Sequence, residues 1–135
     1  MAEQESGQPY ALSRKGKTGL RRLWNALWYS LAGLASAYRN ESAFRQEVAV
    51  AAVLLPVALL LPVTVTHKAL LCASLLLVLV VELLNSGIEA VVDRVSLQAH
   101  ELAKRAKDMG SAAVLLSIGI CVLVWLLVLL EAFGS

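Results

Sequence analysis

An all-α membrane protein is the fold class this sequence predicts, and three observations predict it. The 135 residues are 59% hydrophobic and 16% charged, against about 45–50% and 25% for soluble domains. The apolar residues come in long runs that a soluble core of this size does not require, and Met109 to Leu130 holds no charge. A further run, Ala69 to Val81, passes without a turn signal into three carboxylates on one helical face. At this length the chain forms at most one domain.

Met1 to Thr18 is polar, carries Gly7, Pro9 and Gly16, and lacks periodicity. It is expected to be a disordered cytoplasmic leader, and no apolar h-region marks a secretory signal. From about 19 to 38 a helical stripe follows: Leu20, Leu23, Trp24, Leu27, Trp28, Leu31, Leu34, Ala35 and Tyr38. Two tryptophans with flanking basic residues suit an interfacial helix lying on the membrane. A soluble amphipathic helix packed on a partner would carry the same stripe.

Arg39-Asn40-Glu41-Ser42 breaks the stripe and offers N-cap residues, so a first span is expected from about 42 to 61. Its apolar part, Val48 to Leu61, covers only about 21 Å, which places Phe44, Arg45, Gln46 and Glu47 at the headgroup boundary. Pro56 is tolerable in a span that has helical neighbours. Pro62 to His67 reads as a short turn, and a second span as 68 to 92. A mixed-charge loop over 93–107 and a third span over 108–131 complete the chain. Ala106, Gly110 and Ala113 allow close helix approach, although small residues facing lipid would look the same. Cys72 and Cys121 fall in apolar runs without metal-ligand spacing, as buried thiols do. His67 lies in the outer turn, away from any carboxylate in the sequence, and is assigned no role.

Eleven of the twelve Lys and Arg residues lie in the leader, the surface helix, the boundary turn or the 93–107 loop; Lys68 alone lies opposite. The positive-inside rule then makes the N-terminus and that loop cytoplasmic and the C-terminus external. Glu41, Glu47, Glu82, Glu89, Asp93, Lys107 and Asp108 all gather at the cytoplasmic face. Glu82, Asn85, Ser86, Glu89 and Asp93 are three or four residues apart and share a face of the second span. Glu82 lies about 20 Å along that helix from Ala69, inside a hydrocarbon core of about 30 Å. An ionisable group so placed usually faces a bundle interior or a functional cavity. Asp93 is explained as well by solvation at a helix end.

Two classes of function fit such a cluster. One is a site for a metal-bound phosphate compound, because Mg²⁺ is held by one or two carboxylates plus substrate phosphates and phosphoryl transfer needs positioning and charge neutralisation. The other is an ion or proton pathway, as in a small transporter. The acids stop at Glu82, which weakens the pathway reading. There is no Gly-rich nucleotide loop, and no nucleic-acid partner is expected.

Three blocks carry a resemblance. Glu82-Leu-Leu-Asn85-Ser86-Gly87-Ile88-Glu89-Ala-Val-Val-Asp93 resembles the signature of the small prokaryotic diacylglycerol kinases. Asn40-Glu41-Ser-Ala-Phe44-Arg45-Gln46-Glu47 and Ala103-Lys-Arg-Ala-Lys107-Asp108-Met109-Gly110-Ser111 resemble its other blocks, in order, over roughly residues 20 to 133. The resemblance implies a three-span subunit of the bacterial inner membrane and a homotrimer with sites shared between subunits. It also implies phosphorylation of diacylglycerol by ATP with Mg²⁺, giving phosphatidic acid. Undecaprenol kinases share the fold; the 93–111 wording is closer to the Gram-negative diacylglycerol enzymes.

By the same resemblance, Glu82 is the general base and Asn85 orients the base or a metal-bound water. Glu41 and Glu89 are metal ligands that also bridge the ATP phosphates. Arg22, Tyr29, His100, Lys107 and Asp108 line the nucleotide site. Arg22, Phe44, Arg45, Gln46, Glu47, Glu82, Ser111 and Trp125 match lipid-contact positions. The chain departs from the pattern at Asn25, where lysine is frequent, and at Ala32 and Ala35, which replace polar or basic residues.

Overall fold

The computed structural model describes residues 19–95 and 100–134; the expected leader, 1–18, lies outside them. Four helices follow in order: α1 (Leu20–Asn40), α2 (Ser42–Leu60), α3 (Val65–Val95) and α4 (Glu101–Phe133). The chain divides after Ala35 into two compact units, each described by itself.

In the first unit, Gly19 opens α1 with a positive φ of 68°, a conformation glycine adopts without steric cost. Its carbonyl accepts from the amides of Arg22 (3.1 Å) and Leu23 (3.3 Å). Trp24 and Trp28 meet edge to face, 5.8 Å between ring centroids. Leu20, Leu23, Leu27 and Leu31 remain exposed along the apolar stripe.

The second unit holds the last turn of α1 and three helices long and apolar enough to cross a membrane. They run up, down and up. α3 packs against both α2 and α4, whose backbones stay apart. Ala58, Leu71 and Val128 form a buried cluster at one end. Pro56 lies inside α2 without ending it.

Helix bounds differ from expectation at both turns. α3 begins at Val65 rather than 68, because the Thr64 hydroxyl accepts the His67 amide (3.2 Å), satisfying an otherwise free N–H of the first turn. The expected 93–107 loop is largely helical: α3 continues to Val95 and α4 starts at Glu101. Hydropathy marks where a chain leaves the apolar medium, whereas the i→i−4 ladder continues into water. At about 1.5 Å per residue, α3 and α4 span about 46 and 50 Å, well beyond a hydrocarbon core of about 30 Å. His67 also differs from expectation. Its Nε2 lies 3.0 Å from Glu131 Oε2, because the antiparallel arrangement brings the start of α3 beside the end of α4. Cys72 and Cys121 are free thiols.

Candidate active site

The packing face of α3 and its acidic face are one continuous surface. Leu71, Leu75, Val78, Glu82 and Asn85 are all buried, and their spacing of three or four residues keeps them in register. Glu82 is 5% exposed and Asn85 9%; Ser86 and Glu89 are half-buried and Asp93 is exposed. Burial therefore falls off smoothly from the apolar interior to the end of the helix.

Glu41 and Glu47 approach this face from the start of α2. The charges of Glu89 and Glu41 act on Glu82, and that of Glu82 acts on Glu47. Four carboxylates thus share one end of the unit. Glu41 is the single non-helical residue between α1 and α2, with φ −116° and ψ 107°, and its side chain makes no capping bond. Its carboxylate is not used by the backbone.

α4 completes this end. Gly110 is buried, and a Cβ there would overlap the Asn85 amide oxygen. The glycine leaves room for the Asn85 side chain, which any larger residue at 110 would have to displace. Ala113, by contrast, is exposed. Lys107 Nζ bonds Asp93 Oδ1 at 2.6 Å, tying the end of α3 to α4, so Asp93 does have a basic partner. Lys104 pairs with Asp108 at 2.7 Å, one turn apart. His100 caps α4: its Nδ1 accepts the Leu102 amide at 3.3 Å.

Between α2 and α4, with α3 as its floor, runs an open apolar groove of about 580 Å³. Gln46 and Glu47 stand at one end, Leu75 and Val78 form the floor, and Trp125 and Leu129 lie further along. Asn85 Oδ1, Ser86 Oγ, Glu47 Oε2 and Trp125 Nε1 are buried without a hydrogen-bond partner among the described residues. Buried polar groups are normally satisfied, so acceptors left open around four acids mark a place that receives donors from outside.

Glu82 is a buried carboxylate one turn beyond Val78 of the groove floor, beside three further acids, an arrangement suited to taking a proton from a lipid hydroxyl. Comparison with known proteins decides the family. The family model for prokaryotic diacylglycerol kinase matches residues 28–129. The chain belongs to the prokaryotic diacylglycerol kinase family. The Pseudomonas aeruginosa diacylglycerol kinase is 55% identical over 86% of this chain and 94% of its own length. That of Escherichia coli K12 is 48% identical over 87% and 96%, and that of Haemophilus influenzae 48% over 80% and 92%. All three come from Gram-negative bacteria. The protein is accordingly a membrane lipid kinase, an enzyme that phosphorylates an alcohol acceptor.

Within the family, the structure brings Glu41, Glu47, Glu82, Asn85 and Glu89 to one end, with Lys107 and Asp108 nearby on α4. Arg22 and Tyr29 lie in the first unit, on α1. Phe44 is 3% exposed and packs inward, Ser111 is exposed, and Gln46, Glu47 and Trp125 line the groove. Among the described residues, no group of three or more His, Cys, Asp or Glu side chains could hold a metal ion. Two half-buried carboxylates with hard oxygen donors, Glu41 and Glu89, nevertheless fit Mg²⁺, which is ordinarily bound by one or two carboxylates together with phosphates. In the sequence Gly110 is a small residue suited either to helix approach or to lipid; its place beside Asn85 depends on how α3 and α4 cross.

Proposed function

We propose that this protein transfers the γ-phosphoryl group of ATP, with Mg²⁺, to the hydroxyl of diacylglycerol, yielding phosphatidic acid and ADP. The observation that carries the reading is Glu82, 5% exposed, one turn beyond Val78 of the groove floor and acting on Glu47, the acid that lines the groove. Acyl chains would occupy the groove against Leu75, Val78 and Trp125, bringing the glycerol hydroxyl to the end marked by Gln46 and Glu47. The Glu82 carboxylate accepts the hydroxyl proton as the lipid oxygen bonds the γ-phosphorus and the bond to the β-phosphate oxygen breaks. Asn85, one turn away, orients that carboxylate. Glu41 and Glu89 would hold Mg²⁺, which supplies charge neutralisation on the transferring group. Lys107, Asp108 and His100 are proposed to line the nucleotide side.

The names of the relatives support diacylglycerol over undecaprenol. The apolar character of the groove beyond Glu47 supports a lipid over an ion pathway. We assign the amphipathic α1 to the membrane interface. The distribution of positive charge supports a cytoplasmic acidic end and a C-terminus across the inner membrane. Unpartnered buried atoms at Asn85, Ser86 and Glu47 support a homotrimer in which neighbouring subunits complete the site.

Labelled-phosphate transfer from ATP in mixed micelles tests the substrate: diacylglycerol should be phosphorylated much faster than undecaprenol, and equal or reversed rates overturn the assignment. Shared sites are tested by unfolding, mixing and reassembling Glu82→Ala with Lys107→Ala. Partial recovery of activity is expected. No recovery, with cross-linking confirming mixed assemblies, would mean that each subunit builds its own site.

A further inference from the structure

We propose that Arg45 is the positioning residue of the α1–α2 junction, holding Glu41 in place beside Glu82 and Glu89, and not chiefly a contact for lipid. The junction is a single residue. A helix end leaves its last carbonyls without partners, and here there is no loop to supply them. Arg45, in the first turn of α2, reaches back across the break: its Nη1 donates to the Tyr38 carbonyl at 2.8 Å and the Arg39 carbonyl at 3.1 Å. A cation at a helix C-terminus is also favoured by the helix dipole.

The backbone of Glu41 is held from both sides. Its amide donates to the Ala37 carbonyl at 2.9 Å, and its carbonyl accepts the Arg45 amide at 3.2 Å. Arg45 thus grips the junction twice, through its own N–H and through its guanidinium. Asn40 cannot substitute, because its amide nitrogen is bonded to the Ser36 carbonyl at 2.9 Å. With the main chain fixed in this way, the Glu41 carboxylate is left uncommitted while its charge acts on Glu82. Both bonds leave from one nitrogen, Nη1, so a lysine ammonium, with three N–H donors on a differently shaped stem, would reproduce them only in part.

This inference rests on the reading of Glu41 as a magnesium-holding carboxylate, and the test keeps the two apart. Wild type, Arg45→Ala, Arg45→Lys and Glu41→Gln are compared in mixed micelles, with amide hydrogen exchange measured in the absence of metal and nucleotide. In Arg45→Ala, exchange over residues 37–45 should quicken on the order of tenfold, the scale of losing charge-assisted hydrogen bonds, while α4 exchange is unchanged. The Mg²⁺ concentration for half-maximal rate should rise and kcat fall, with KM for diacylglycerol within about twofold of wild type; Arg45→Lys should fall between. A raised diacylglycerol KM with unaltered exchange and Mg²⁺ dependence would make Arg45 a lipid contact and overturn the proposal. Faster exchange with an unshifted Mg²⁺ dependence also overturns it, provided Glu41→Gln does shift. If Glu41→Gln leaves the Mg²⁺ titration unchanged, the metal reading of Glu41 fails instead.

Discussion

The two ends of the three-helix unit are built on opposite principles. At the end holding Ala58, Leu71 and Val128, polar groups find partners within the chain. Lys68 Nζ donates to the Leu59 carbonyl at 2.8 Å, His67 pairs with Glu131, and Thr64 caps α3. At the acidic end, four carboxylates crowd together while Asn85 Oδ1, Ser86 Oγ and Glu47 Oε2 stay buried and unpartnered among the described residues. The first end closes a fold. The second leaves buried polar groups open, which supports its reading as the place where other groups bind. Trp125 is the exception on the closed side, and its indole N–H belongs to the groove that joins the two ends.

The largest expected effect is at the acidic end. Glu82→Gln removes proton acceptance and little volume, so turnover should fall about 10²–10⁴-fold with folding retained; near-wild-type turnover would sink the base assignment and reopen an ion pathway. Next comes Glu89→Gln, which should raise the Mg²⁺ requirement sharply as well as slow the reaction. A Mg²⁺ titration overlaying the wild type would show that this acid does something else.

Gly110→Ala should destabilise the protein by about 1–3 kcal/mol, as overpacking does, and slow turnover through Asn85. Thermal unfolding in detergent is the measurement. Combining it with Asn85→Ala should restore much of the stability but not the rate; a single variant as stable as wild type would show that the Asn85 side chain turns aside at no cost. The smallest effect is expected at the closed end. His67 and Glu131 side chains are 25% and 69% exposed, and exposed pairs are worth at most about 1 kcal/mol. His67→Ala should thus leave kcat unchanged and the unfolding midpoint nearly so. A loss of turnover comparable to that of Gly110→Ala would break the contrast between the ends.

Much of this was legible in the chain. The three spans are written in uninterrupted apolar stretches, and the shared face of Glu82, Asn85 and Glu89 follows from helical spacing alone. The gathering of Glu41 and Lys107 at the same end follows from counting spans. These are local or one-dimensional properties, set by residue type and by the rise of a helix.

Pairings between helices were not legible, because they depend on which faces meet and at what depth. His67 looked isolated until α4 brought Glu131 alongside. Asp93 could have been a solvated helix end, and only the adjacent start of α4 supplied Lys107. Gly110 could have been exposed as Ala113 is; the crossing that seats Asn85 made the difference. Arg45 stood at a boundary suited to lipid headgroups, and only the one-residue break at Glu41 put two free carbonyls within its reach. Periodicity fixes which residues share a face of one helix, but the rotation of neighbouring helices, set by packing summed over their whole length, decides what each face touches.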